Sequence, residues 1–337
     1  YFVIASLPSW LIGLWSVGRQ TNLAISDFAL TEVPGWRAWL LEASGIGFDA
    51  FSVMGCVAHG ALYFLPIFLV ALVVGAFWES VFAVFRRKRL DEGLLYIAWF
   101  YALMMPAAAP LYQVAHGMAV GIVIGKLIFG GSGRYLVNPA LFGIAFLVFS
   151  YPNLMFGEGA WVPVAAYDQP TVLELVNEEG GLKVIAAVDY SYWQLFLGDR
   201  PGAVGVVSVL GAILGAGFLI LTGMASWRVI AGAIIGLIGM SLLGNYYAPD
   251  HMLLSIPWQW HLVLGGFAFG AVFIATDPVA GPITDPGRWG YGLLVGSLTV
   301  LIRVGSMSYY EGVIFAILLA SLFSPLIDYI VVELNIH

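Results

Sequence analysis

Apolar runs long enough to cross a membrane recur along the whole chain, and they leave room for few other architectures. A helical span needs about 20 apolar residues. On that ruler the sequence predicts ten spans, over residues 1–18, 52–84, 93–110, 112–130, 138–151, 202–223, 229–247, 260–276, 290–304 and 310–332. The second is long and contains Pro66, and the fifth is short. The expected fold is an all-α polytopic membrane protein embedded in a lipid bilayer. Composition agrees, since 61% of the residues are hydrophobic and only 10% are charged, which excludes a soluble domain. A formal net charge of -7 offers no basic surface for nucleic acid. The single Cys56 excludes an internal disulfide and a cysteine-ligated iron–sulfur cluster within this chain. Tyr1 already lies in an apolar run, which predicts further residues ahead of it.

Loop charges set the orientation. Arg86-Arg87-Lys88-Arg89 follows the second span directly, and short cationic loops stay in the cytoplasm. Counting from there places loops 19–50 and 151–201 outside, the 277–289 loop inside, and both chain ends in the cytoplasm. The 151–201 segment carries Glu158, Asp168, Glu174, Glu178, Glu179, Asp189 and Asp199 against only Lys183 and Arg200, as an exported loop should. Residues 1–151 then form one group of five spans, 152–201 an external periplasmic loop, and 202–337 a second group of five. Trp161, Tyr167, Tyr190, Tyr192 and Trp193 predict that this loop packs or lies at the membrane interface.

An internal echo links the two groups. Phe129-Gly130 leads to Asn138-Pro139, and Phe269-Gly270 leads to Asp277-Pro278 at similar spacing. Related halves with broken helices are a common way to build an ion pathway.

Carboxylates within the spans are the first candidates for chemistry, because such a group must be paired, protonated or bound to a cation. Glu79 ends Gly75-Ala76-Phe77-Trp78-Glu79, and Asp277 sits where an apolar run meets a Pro-broken turn. Backbone unwound beside a proline supplies the carbonyl oxygens that a hard cation such as sodium also wants. Asp328, in Ser324-Pro325-Leu326-Ile327-Asp328, reads either as a path residue or as an interfacial acid reaching water. Glu311 opens the last span and reads as a first-turn acid favoured by the helix dipole. Asn138, at a Pro-broken helix start, suits hydrogen bonding to a planar ligand. Thr171 follows Pro170 and reads on its own as a helix cap. Five histidines show no spacing that marks a haem pair.

The pieces FGGSGRYLVNPAL, MASWRVIAGAIIG, WHLVLGGFAFGAVFIATDPV and EGVIFAILLASLFSPLIDYIVVELNI resemble the B-type subunit of the bacterial sodium-translocating NADH:quinone oxidoreductases, in order over most of 52–337. The D-type subunit of the related Rnf complex shares the D-P turn and the P-L-I-D ending. The resemblance implies a ten-span inner-membrane flavoprotein in a six-subunit complex, a translocase passing electrons toward ubiquinone and moving sodium. It implies FMN joined through its phosphate to Thr171, riboflavin near Asn138, a sodium path past Glu79, Asp277 and Asp328, and a quinone region at Gly75 and Ala76. Trp161, in the same loop as Thr171, joins the cofactor-binding candidates. The attachment signal departs from the family's D-G-x-S/A-G-A-T, reading A-A-Y-D-Q-P-T here. The alternatives are an Rnf-type ferredoxin:NAD oxidoreductase subunit, and a flavin-free transporter or channel on the same scaffold.

Overall fold

A computed structural model describes residues 1–27, 35–87, 89, 92–156, 160–164, 171–179, 181, 183, 190–249, 251, 253–305 and 311–336. Lys88, and residues 165–170 with Tyr167 and Asp168, lie outside the described residues, as do Glu158 and Asp189.

Each of the ten apolar runs contains a helix. These are α1 (Leu7–Asp27), α2 (Val53–Arg86), α3 (Leu94–Met104), α4 (Leu111–Ile122), α5 (Pro139–Ser150), α6 (Val209–Leu221), α7 (Trp227–Tyr247), α8 (Trp258–Val263), α9 (Asp285–Gly305) and α10 (Val313–Ile336). Three of them, α2, α7 and α10, are long and apolar enough by themselves to cross a membrane. The first helix reaches nine residues beyond the apolar run that predicted it, to Asp27, because Arg19, Gln20, Thr21 and Asn22 are accommodated by hydrogen bonds within the protein. With 34 residues, α2 runs unbroken through Pro66 and is about 51 Å long, longer than the hydrocarbon is thick.

Other spans are short or interrupted. With 11 residues, α3 covers about 17 Å, roughly half of the hydrocarbon depth. A five-residue π turn, Val123–Leu127, continues α4 and ends it. The eighth span is cut: α8 stops at Val263, Gly265 turns through φ +64°, and the chain rewinds through Phe267–Phe269 into a second π turn, Gly270–Ile274.

A backbone broken within a bilayer must find partners in the protein, because lipid offers none. Here two buried arginines and a glutamate supply them. Arg303 donates from Nη1 to the His261 carbonyl at 2.8 Å and from Nη2 to the Leu264 carbonyl at 2.7 Å. Arg200 donates to the Gly265 carbonyl at 2.9 Å, and Glu311 accepts from the Gly266 N–H at 2.9 Å. Glu311 therefore does more than favour a helix dipole; it lies ahead of α10 and secures the break in the neighbouring span. Arg200 is only 4% exposed, so it belongs to the core and not to the loop charges.

Glycines let the helices touch backbone to backbone. A Cβ placed on Gly296 of α9 would lie 2.0 Å from the Ala233 carbonyl oxygen of α7, and one on Gly236 of α7 would lie 2.3 Å from the Leu293 oxygen. This is the small-residue packing that lipid-embedded helices need, since lipid provides no hydrophobic drive for them to associate.

Candidate cation and cofactor sites

The two halves of the sequence echo meet in space. Each polar-Pro pair follows a π turn: Val123–Leu127 precedes Asn138-Pro139, and Gly270–Ile274 precedes Asp277-Pro278. Such widened turns cluster at functional positions. Asn138 Nδ2 donates to Asp277 Oδ2 at 2.8 Å, across 139 residues of sequence.

Around this contact a small polar cluster forms. Asn138 Oδ1 caps α5 by accepting from the Ala140 and Leu141 N–H groups, and this fixes the side chain so that Nδ2 points away from the helix. Nδ2 also donates to the Tyr96 hydroxyl at 3.2 Å. The Tyr135 hydroxyl donates toward the Asp277 carboxylate at 3.3 Å, and the Val279 N–H donates to Oδ1 at 2.9 Å. The Asp277 carboxylate is thus ringed by neutral donors. It is 3% exposed, and among the described residues it forms no ion pair. A cavity of about 370 Å³ reaches it, lined by Thr276, Ser226, Arg228 and Arg288 among others. The buried Ser226 hydroxyl has no hydrogen-bond partner among the described residues.

Glu79 is different. It is also buried, but its Oε1 accepts from Lys126 Nζ at 2.5 Å, and that lysine is fully buried in the first π turn. Gly75 lies on the same buried face of α2, one turn before Glu79; a Cβ there would meet Leu94 and Met118 side chains at 2.4 and 2.8 Å. Ala76 is half-buried, and its carbonyl accepts from the Ser80 hydroxyl. Gly75 therefore sets the approach of α3 and α4 to α2.

Asp328 has partners of its own. Its Oδ2 accepts from the Ile283 N–H at 2.8 Å, and its Oδ1 accepts from the Thr284 N–H at 3.0 Å and from the Thr284 hydroxyl. It ties the turn after Pro278 to α10, close to the start of α9.

Thr171 and Trp161 come together at another cavity, beside the break in the eighth span. Its lining includes Arg200, Gly265, Gly266 and Glu311. Thr171 caps the helix Val172–Glu179, as its position after a proline predicts: its Oγ1 accepts from the Glu174 N–H, and Glu174 Oε2 accepts from the Thr171 N–H. The Trp161 indole N–H is buried without a partner among the described residues. At the Thr171 hydroxyl the Glu174 N–H and the positive end of the helix dipole favour the phosphate end of a linked flavin, while the Glu174 carboxylate in the same turn opposes it. They fit an enclosed ring less well. About 50 Å³ of free space suits a few waters and not a three-ring system.

The sequence did not single out Lys126, Arg303, Tyr96 or Tyr135, and Arg200 it counted as a loop cation. Each gains its role from a partner far away along the chain, 47 residues for Lys126 with Glu79 and 142 for Tyr135 with Asp277.

The chain is 43% identical over 336 residues to the B-type subunit of a Na(+)-translocating NADH-quinone reductase from Pseudomonas paraeruginosa, covering 99% of this chain and 83% of that protein. It is 41% identical to the subunit of the same name from Azotobacter vinelandii, with the same coverage. Against that of Chromohalobacter salexigens it is 43% identical, over 99% of this chain and 80% of the relative. A profile of the NQR2, RnfD, RnfE family matches residues 1–337 from end to end, and the chain belongs to that family.

Proposed function

We propose that this chain is the membrane subunit, equivalent to the B-type subunit, of a sodium-translocating NADH–quinone reductase. It would lie in the bacterial inner membrane with both ends in the cytoplasm and the Thr171 loop in the periplasm, as part of a six-subunit complex. The observation that carries the reading is Asp277: a buried carboxylate where two spans that end in π turns meet, ringed by neutral donors and reached by a cavity. In low dielectric such a group attracts a cation strongly, and it supplies one charged oxygen among neutral ones. Glu79 and Asp328 complete the proposed sodium path. Glu79 does so as a paired acid, and Asp328 by holding the turn after Pro278 in place.

Flavin and quinone belong to the same reading. FMN joined to Thr171 and riboflavin near Asn138 would supply one-electron and two-electron transfer toward the quinone. This chain's own part is to place the Thr171 hydroxyl at a helix N-terminus and to offer the Trp161 N–H beside the broken span. Gly75 and Ala76 mark the proposed quinone region on α2. One experiment separates the parts. Quinone reduction by the assembled complex should be stimulated by sodium chloride and not by choline chloride; equal rates in the two salts would overturn the pump. In the same preparation, the gel band of this subunit should fluoresce under ultraviolet light and go dark in Thr171→Ala. A dark band in the unaltered protein would remove the covalent flavin, and a purified subunit that also lacks the absorbance of oxidised flavin would leave a transporter.

A further inference from the structure

Of the two deeply buried acids, Glu79 already has a cation beside it. Lys126 reaches Glu79 from the π turn Val123–Leu127, and its side chain is 0% exposed. The same ammonium donates to the Glu92 carbonyl at 3.2 Å, on the stretch leading into α3. The Ser132 hydroxyl donates to that carbonyl as well. The lysine is therefore held between two acceptors: a carboxylate inside the bundle, and a neutral carbonyl toward the loops. Beside the pair is a cavity of about 20 Å³, lined by Phe82, Arg86, Arg89 and Leu127 among others. That is room for a single water-sized occupant.

We propose that Lys126 is a tethered cation that keeps the place of sodium at Glu79, and that sodium passes Glu79 only as the ammonium gives up the carboxylate and stays on the Glu92 carbonyl alone. The proposal rests on Glu79 belonging to the sodium path. Charge decides the exchange. One buried carboxylate balances one cation, and a second cation beside the first would be repelled in low dielectric, the more so with Arg86 and Arg89 at the cavity. Exchange is then one for one at the carboxylate: sodium arrives at Glu79 as the ammonium gives up its bond to Oε1. A lysine suits this, being a compact charge on a flexible stem with three rotatable donors; an arginine would grip the carboxylate with two parallel bonds. The π turn suits it too, because its wider winding breaks the regular hydrogen-bond ladder where the lysine is attached.

The test measures the sodium dependence of quinone reduction by the assembled complex, in Glu79→Gln, Lys126→Arg and Lys126→Gln. Lys126→Arg should raise the half-saturating sodium concentration, and Lys126→Gln should lower it by at least about fivefold, the low end of ordinary coupling between sites. Glu79→Gln should raise it, and Glu79→Gln/Lys126→Gln should match Glu79→Gln alone. If Glu79→Gln raises the value while both lysine variants leave it unchanged, the tethered cation is overturned and Glu79 keeps its place in the path. If Glu79→Gln changes nothing, the reading of Glu79 falls and the proposal with it. Should Lys126→Gln fail to assemble, Lys126→Arg, which keeps the charge, decides by the same criterion.

Discussion

Asp277→Asn is expected to raise the sodium concentration for half-maximal quinone reduction by about 10- to 150-fold, with the subunit still in the assembled complex. The size follows from the chemistry of the site. Replacing the charged oxygen pair by an amide removes a charge-assisted interaction of about 1.5–3 kcal/mol, which is that range in affinity. Folding should tolerate the change. The oxygen of the introduced amide still accepts from the Val279 N–H, and although the new NH2 loses the bond from Asn138 Nδ2, a neutral amide is cheaper to bury than an unpaired carboxylate. Steady-state rates against sodium concentration measure the effect, and the amount of subunit retained in the purified complex controls for assembly. A sodium curve that superimposes on that of the unaltered protein would remove Asp277 from the path.

The second large effect is structural. Arg303→Met should prevent stable assembly, because it strips the His261 and Leu264 carbonyls of their donors inside the bundle. At about 1–3 kcal/mol for each orphaned carbonyl, the loss is about 2–6 kcal/mol, a large part of the stability of an ordinary protein. Met matches the length of the lost stem, so the void is confined to the space of the guanidinium head and the defect reports mainly the lost hydrogen bonds. Arg303→Lys should rescue only in part, since one ammonium cannot reproduce a planar fork reaching two carbonyls. Native gel electrophoresis of the detergent-solubilised complex, followed by its melting temperature, measures both variants. A Met variant as stable as the unaltered complex would show that the broken span is held by something other than Arg303.

How much of this was legible in the sequence depends on the range of the interaction. The spans were legible because hydropathy is local: each apolar run contains a helix. The echo of Asn138-Pro139 in Asp277-Pro278 was legible as spacing, and the structure adds that the two side chains touch. Thr171 as a helix cap was legible from its neighbours, as was the short fifth span. The interruption at Leu264-Gly265-Gly266 was not, because those residues sit inside an unbroken apolar pattern, and glycine in a membrane span usually signals packing. Nor were the π turns, which leave no signature in hydropathy. The buried cations were the largest omission. Lys126 lies near the end of a span and Arg303 in the last turn of another, where a cation ordinarily reaches for water. Only three-dimensional placement gives Lys126 a carboxylate and Arg303 two carbonyls.

That the two halves build one cation seat can be tested by moving the charge across the contact between them. In Asn138→Asp/Asp277→Asn the carboxylate changes sides of a 2.8 Å hydrogen bond, the new amide donating from the second half and the new carboxylate accepting on the first. Asp is as good a helix cap as Asn, so the start of α5 is preserved. The measurement is the sodium dependence of quinone reduction by the assembled complex, for the double variant beside Asp277→Asn alone. A half-saturating sodium concentration restored most of the way toward that of the unaltered protein is the expected result. A double variant as insensitive to sodium as the single one, in a fully assembled complex, would contradict a shared seat at Asn138 and Asp277.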